Sequence, residues 1–147
     1  MSSTSRPSSC SWCGCEHDGG PERCLSGVLL VCGGRDYADR ARVWDLLDRV
    51  ARRMAITAVR HGAASGADTL AGEWARESWV PEEPRPAAWR SGGRRGPVDF
   101  SAGPKRNAAM PAEGGVAACV AFPGGPGTEN MVERCKRAGV PVWEVRR

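Results

Sequence analysis

Val116-Ala117-Ala118-Cys119-Val120-Ala121-Phe122-Pro123-Gly124-Gly125-Pro126-Gly127-Thr128 is the stretch that decides how this chain folds. A short run apolar on both faces reads as a strand buried within a parallel sheet. It breaks into a glycine loop, with Thr128 placed to cap the helix that follows. Such a loop turns free backbone N–H groups and the positive end of a helix dipole toward an anion, usually phosphate. Glycine suits it because a Cβ would hold the backbone away from phosphate oxygens.

Working outward, the same grammar repeats. Leu25 to Cys32 is a first apolar strand, ended by Gly33-Gly34-Arg35-Asp36. A helix follows from Asp39 to about Met54, with Val43, Leu47, Val50 and Met54 on one face of a 3.6-residue period. Thr57 to His61 is a second strand, and residues 62–68 form a second loop of small residues. The next helix carries Leu70, Ala71, Trp74 and Ala75 inward and stops before Pro81. Prolines 81, 84, 86 and 97 forbid a long helix beyond it, and Ala87-Ala88-Trp89 reads as the remnant of a third strand. Gly92-Gly93-Arg94-Arg95-Gly96 reads as a loop. A short helix from about Pro104 to Met110 precedes the 116–122 strand. A helix from Thr128 to Ala138 then buries Met131, Val132, Cys135 and Ala138. Gly139 signals its end, and a last strand runs from Val140 to Val145.

Strands alternating with helices predict an α/β, Rossmann-like, doubly wound and mainly parallel sheet of about five strands, with helices on both faces. Loops that follow strands then share one edge, where ligands of such sheets bind. The expected ligand-binding set is Gly33, Gly34, Arg35, Gly62, Ser65, Gly66, Asp68, Arg106, Asn107, Gly124, Gly125, Gly127 and Thr128. Arg106 is the leading cation for a phosphate, and Asn107 suits a base or sugar. Ser65 is spaced to cap the helix at the Asp68 N–H. His61 either meets ligand or bonds a neighbouring carbonyl, and Met110 reads as core.

Composition bounds the function. The net charge is +4, and of 21 basic residues only Lys105 and Lys136 are lysines. The basic residues are dispersed, so no nucleic-acid stripe is visible. No apolar run reaches the roughly 20 residues of a membrane span, and no secretory signal is visible. The 7 cysteines are an odd number, with Cys32 and Cys119 inside core strands, a pattern that fits a reducing cytoplasm. Residues 1–26 are expected to be a Cys-rich, disordered extension and 27–147 the folded domain. Cys10, Cys13, Cys15 and Cys24, with His17, supply enough soft ligands for tetrahedral zinc. The usual second C-x-x-C pair is missing, so an unstructured tail is the first expectation and zinc the alternative.

The motifs Gly33-Gly34-Arg35-Asp36, His61-Gly62-Ala63-Ala64-Ser65-Gly66-Ala67-Asp68, Arg106-Asn107-Ala108-Ala109-Met110 and Pro123-Gly124-Gly125-Pro126-Gly127-Thr128 occur in that order. Together they resemble the YspA, cpYpsA-related branch of the SLOG superfamily. That resemblance implies a Rossmann-like domain binding a nucleotide or nucleotide-derived ligand, often as a sensor, and a possible homodimer. The related lonely-guy hydrolases use an Arg and a Glu. Arg106 matches the first, but Met131 stands at the glutamate position. A thioether cannot do the work of that carboxylate, so a binding module without this catalysis is expected. The alternatives are a hydrolase of a nucleotide glycosidic or phosphate bond using Asp36, Asp68 or Glu129, and single-stranded DNA binding as in the DprA proteins.

Overall fold

The computed structural model describes residues 25–86 and 102–146, together with a short antiparallel pairing of β1 (Ser8–Ser9) with β2 (Glu16–His17). The Cys10, Cys13, Cys15 and Cys24 set, the 87–89 strand reading and the 92–96 loop lie outside the described residues. Among the described residues no helix is long and apolar enough to cross a membrane.

The chain then runs β3 (Leu25–Cys32), α1 (Arg40–Arg53), β4 (Met54–His61), α2 (Ala67–Glu77), β5 (Glu82–Pro84), α3 (Ala102–Ala112), β6 (Val116–Ala121), α4 (Pro126–Arg137) and β7 (Val142–Glu144). The strands form one sheet in the order β5-β4-β3-β6-β7, and every neighbouring pair is parallel. This is the Rossmann-like α/β arrangement expected. Strand order reverses between β3 and β6: the chain leaves β3 toward β4 on one side and β6 toward β7 on the other.

The side-chain period of a strand sorts β3 into two layers. Leu29 and Val31 join Val43, Leu47 and Val50 of α1 and Ala71, Trp74 and Ala75 of α2 in one core. Leu30 and Cys32 join Met110 of α3 and Met131, Val132 and Cys135 of α4 in the other. Helices therefore cover both faces. The buried Trp74 indole donates from Nε1 to Asp48 Oδ1 at 2.9 Å, so its polar edge is satisfied. Cys32, Cys119 and Cys135 are buried free thiols in the second layer. Thiol contacts from Cys135 and Cys32, with burial, push Cys119 well above the usual thiol range.

Helix ends explain where the sequence reading shifts. Asp39 caps α1 by accepting from Arg42 N–H at 3.1 Å, and Met54 is already the buried first residue of β4 rather than the last turn of α1. The α4 helix begins at Pro126 with Gly125 as its N-cap, three residues before the predicted cap Thr128. Proline is favoured at that first position because its φ is preset and its missing N–H would have no intrahelical partner. Gly66, not Ser65, caps α2, and the Ser65 hydroxyl donates instead to Arg35 C=O at 3.0 Å. At the far end of α4, Ala138 is exposed rather than inward. Gly139 follows it at φ 77°, where the left-handed region favours glycine.

The β5 strand has no counterpart in the sequence reading. Two glutamates and a proline make it, and it exists through its neighbours. Buried Arg60 on β4 bonds Glu83 at 3.0 Å, and Glu82 takes His61 at 2.6 Å and Arg76 at 2.6 Å.

Candidate functional site at the carboxyl edge of the sheet

Parallel strands place the loops after β3, β4 and β6 at one edge, and these loops are stitched by their backbones. Gly34 N–H donates to Pro123 C=O at 2.9 Å, and Ala67 N–H donates to Gly34 C=O at 3.2 Å. Such close approach is what most of the glycines are for. A Cβ on Gly33 would lie 2.9 Å from Phe122 Cβ, and one on Gly34 would lie 2.9 Å from Pro123 C=O. On Gly66, at φ 76°, a Cβ would overlap the Gly34 carbonyl; on Gly124 it would overlap the Thr128 hydroxyl. Gly125 and Gly127 differ: a Cβ on either meets nothing within 4 Å.

The loops enclose a cleft of about 240 Å³. Of the predicted residues, Gly33, Gly34, Arg35, Gly62, Asp68, Arg106, Asn107, Gly125, Gly127 and Thr128 line it. Gly66 and Gly124 do not line it; they hold the loops together. Ser65 lines an adjoining chamber, also about 240 Å³, that shares Arg35, Gly62, Ala64 and Arg106 with the first. Pro126, Ala64, Cys32 and Met110 line the cleft without having been expected there. Pro126 could have been found from its place between Gly125 and Gly127 at a helix start. A larger groove of about 750 Å³ beside β7 contains none of the predicted residues; the chemistry converges on the smaller cleft.

Arg106 enters from α3. Its Nη1 donates to Gly62 C=O at 2.7 Å, and its Nε donates to Asn107 Oδ1 at 2.9 Å. Burial lowers its pKa, the Asp68 charge opposes this, and Arg35 adds to the lowering. The buried Asn107 amide donates to Gly127 C=O at 3.2 Å and Asn130 Oδ1 at 3.1 Å, so it ties α3 to the first turn of α4. That turn presents Gly127 and Thr128 N–H groups, since the first N–H groups of a helix have no partner within it.

Asp68 sits in the first turn of α2 with 5% of its surface exposed. Its Oδ2 accepts from Gly62 N–H at 3.0 Å and Ala64 N–H at 3.3 Å. Its Oδ1 is buried and has no hydrogen-bond partner among the described residues. Burial raises its pKa, against the pull of Ala64 N–H, His61, Arg106 and Gly62 N–H. His61 points elsewhere: Nδ1 accepts from Ala63 N–H at 2.9 Å, leaving Nε2 to donate to Glu82. Met131 lines the cleft, whereas Glu129 lines a separate groove and Asp36 lies at the exposed surface. Asp68 is thus the carboxyl group that lines this cleft among the described residues. No group of three or more metal-ligating side chains occurs among them.

The pattern of the YspA, cpYpsA-related SLOG family matches residues 28–92, which carry most of β3, all of α1, β4, α2 and β5, and two of the three loops. The chain is also 36% identical over 122 residues to the Gene 61 protein of Mycobacterium phage D29, covering 78% of this chain and 92% of the phage protein. No solved structure shows a significant match.

Proposed function

Because the chain belongs to the YspA, cpYpsA-related SLOG family, we propose that it binds a phosphate-bearing, nucleotide-derived ligand in the carboxyl-edge cleft and acts as a ligand sensor. The observation that carries this reading is the division among the loop glycines. Gly33, Gly34, Gly66 and Gly124 are consumed by packing, while Gly125 and Gly127 leave open space at the start of α4. A phosphate there meets the Gly127 and Thr128 N–H groups and the positive helix end. Arg106 and Arg35 supply full positive charge from the other walls. Two guanidinium groups facing one cleft repel, and an anion between them relieves that repulsion.

Lonely-guy hydrolysis does not fit, because the side chain at its glutamate position is the Met131 thioether, which lines the cleft without a proton to give or take. The test is calorimetric titration with AMP, ADP, ATP, NAD, ADP-ribose and cyclic nucleotides, each mixture assayed for product. Saturable binding without turnover supports the sensor. Turnover refutes it in favour of an enzyme, and silence from every compound refutes the phosphate site.

A further inference from the structure

We propose that Asp68 accepts or donates a hydrogen bond at a pentose hydroxyl of the bound ligand, so that the cleft selects a ribose phosphate over its deoxy counterpart. This rests on the phosphate reading above. The two oxygens of Asp68 have different duties. Oδ2 is occupied by Gly62 and Ala64 N–H, which locks the carboxyl plane. Asp68 lines the same cleft, and its Oδ1 is buried and unpartnered among the described residues. A buried polar atom without a partner costs free energy that a bound group recovers by supplying one.

The chemistry of that group can be narrowed. A phosphate is excluded by charge when the carboxyl is ionised, and an ammonium group has no lone pair to accept the O–H of a protonated carboxyl. A hydroxyl both donates and accepts, so it satisfies Oδ1 in either state. A resident cation is also disfavoured: no cluster of three ligating groups exists among the described residues, and the positive Arg106 lies close enough to act on Asp68. With the phosphate at the start of α4 and Asp68 at the start of α2, a cleft of about 240 Å³ suits a phosphorylated pentose between the two.

The experiment compares inorganic phosphate, AMP and 2′,3′-dideoxy-AMP on the wild-type chain, then AMP and its dideoxy form on Asp68→Ala and Asp68→Asn. The wild type should prefer AMP over dideoxy-AMP by at least about tenfold, the scale of one buried polar group left unpaired. Asp68→Ala should reduce that ratio below about twofold, and Asp68→Asn, whose amide still bonds a hydroxyl, should retain part of it. If Asp68→Ala does not melt as a folded protein, the wild-type ratio decides alone. Equal binding of the two nucleotides by wild type, or an undiminished ratio in folded Asp68→Ala, overturns the assignment while leaving the phosphate site standing. Failure of wild type to bind either phosphate or AMP overturns both.

Discussion

Replacing Gly125 with Asp should act on folding and binding in opposite directions. Gly125 is the N-cap of α4 at φ −102°, a conformation open to any residue, and its Cβ would meet nothing within 4 Å. Aspartate is a better N-cap than glycine by a few tenths of a kcal/mol. A carboxylate at the positive helix end adds about 0.3–1 kcal/mol. The melting temperature should therefore hold or rise by about 2–4 °C. Binding should suffer, because the new carboxylate occupies the phosphate's place and engages the same N–H groups. Two unit charges about 5 Å apart at an effective dielectric of about 20 repel by about 3 kcal/mol. That is a loss of at least about 100-fold in affinity for AMP. Gly125→Ala, which adds bulk without charge, should lose less than about tenfold. Calorimetry with AMP and a thermal melt of each variant make the measurement. Affinity for AMP within threefold of wild type in Gly125→Asp would refute the reasoning, whatever the melt shows.

Other outcomes follow from the same contacts. Gly66→Ala forces a Cβ into the Gly34 carbonyl at φ 76°, so it should destabilise by about 2 kcal/mol or more in denaturant unfolding. Gly127→Ala, in open space within the first turn of α4, should gain up to about 1 kcal/mol. Arg60→Ala should cost about 3–5 kcal/mol. It strips the partner from Glu83 and from the Met110 and Glu113 carbonyls that the guanidinium holds at 3.0 and 3.1 Å. Glu82 is raised by burial but lowered on balance by the His61 and Arg76 hydrogen bonds and charges. A lowered carboxyl stabilises the fold above its unfolded pKa and loses that contribution as pH falls through the folded value. Glu82→Gln should thus be less stable than wild type by about 1–2 kcal/mol at pH 7, and the gap should close on acidification below the ordinary glutamate value of 4.5; a gap independent of pH would refute it.

The legible parts of the chain share one property: their signal is contained in a few consecutive residues. The apolar runs of β3 and β6 and the 3.6-residue face of α1 needed no partner to be read. Gly139 stopped α4 because a left-handed residue after a helix is a local requirement. The β5 strand shows the contrary case. Glu82, Glu83 and Pro84 read as surface or turn, and become a strand because Arg60, His61 and Arg76 stand beside them. The caps misread at Ser65 and Thr128 belong here too. A cap depends on where the helix starts, and the stitched Gly34 backbone and Pro126 move the caps by one and three residues.

Sequence alone determined the alternation of strand and helix, hence a parallel sheet with its loops gathered at one edge, because hydrophobic periodicity and glycine punctuation are local codes. It also brought forward Arg106 and the 124–128 loop as the chemistry of that edge. Tertiary structure alone decided which glycine serves which purpose. Gly33, Gly34, Gly66 and Gly124 are identical in type to Gly125 and Gly127, and only the distance from a missing Cβ to another loop separates packing from open space. The same holds for Asp68, whose two oxygens are equivalent in sequence and become distinct only when burial leaves one with two N–H partners and the other with none among the described residues.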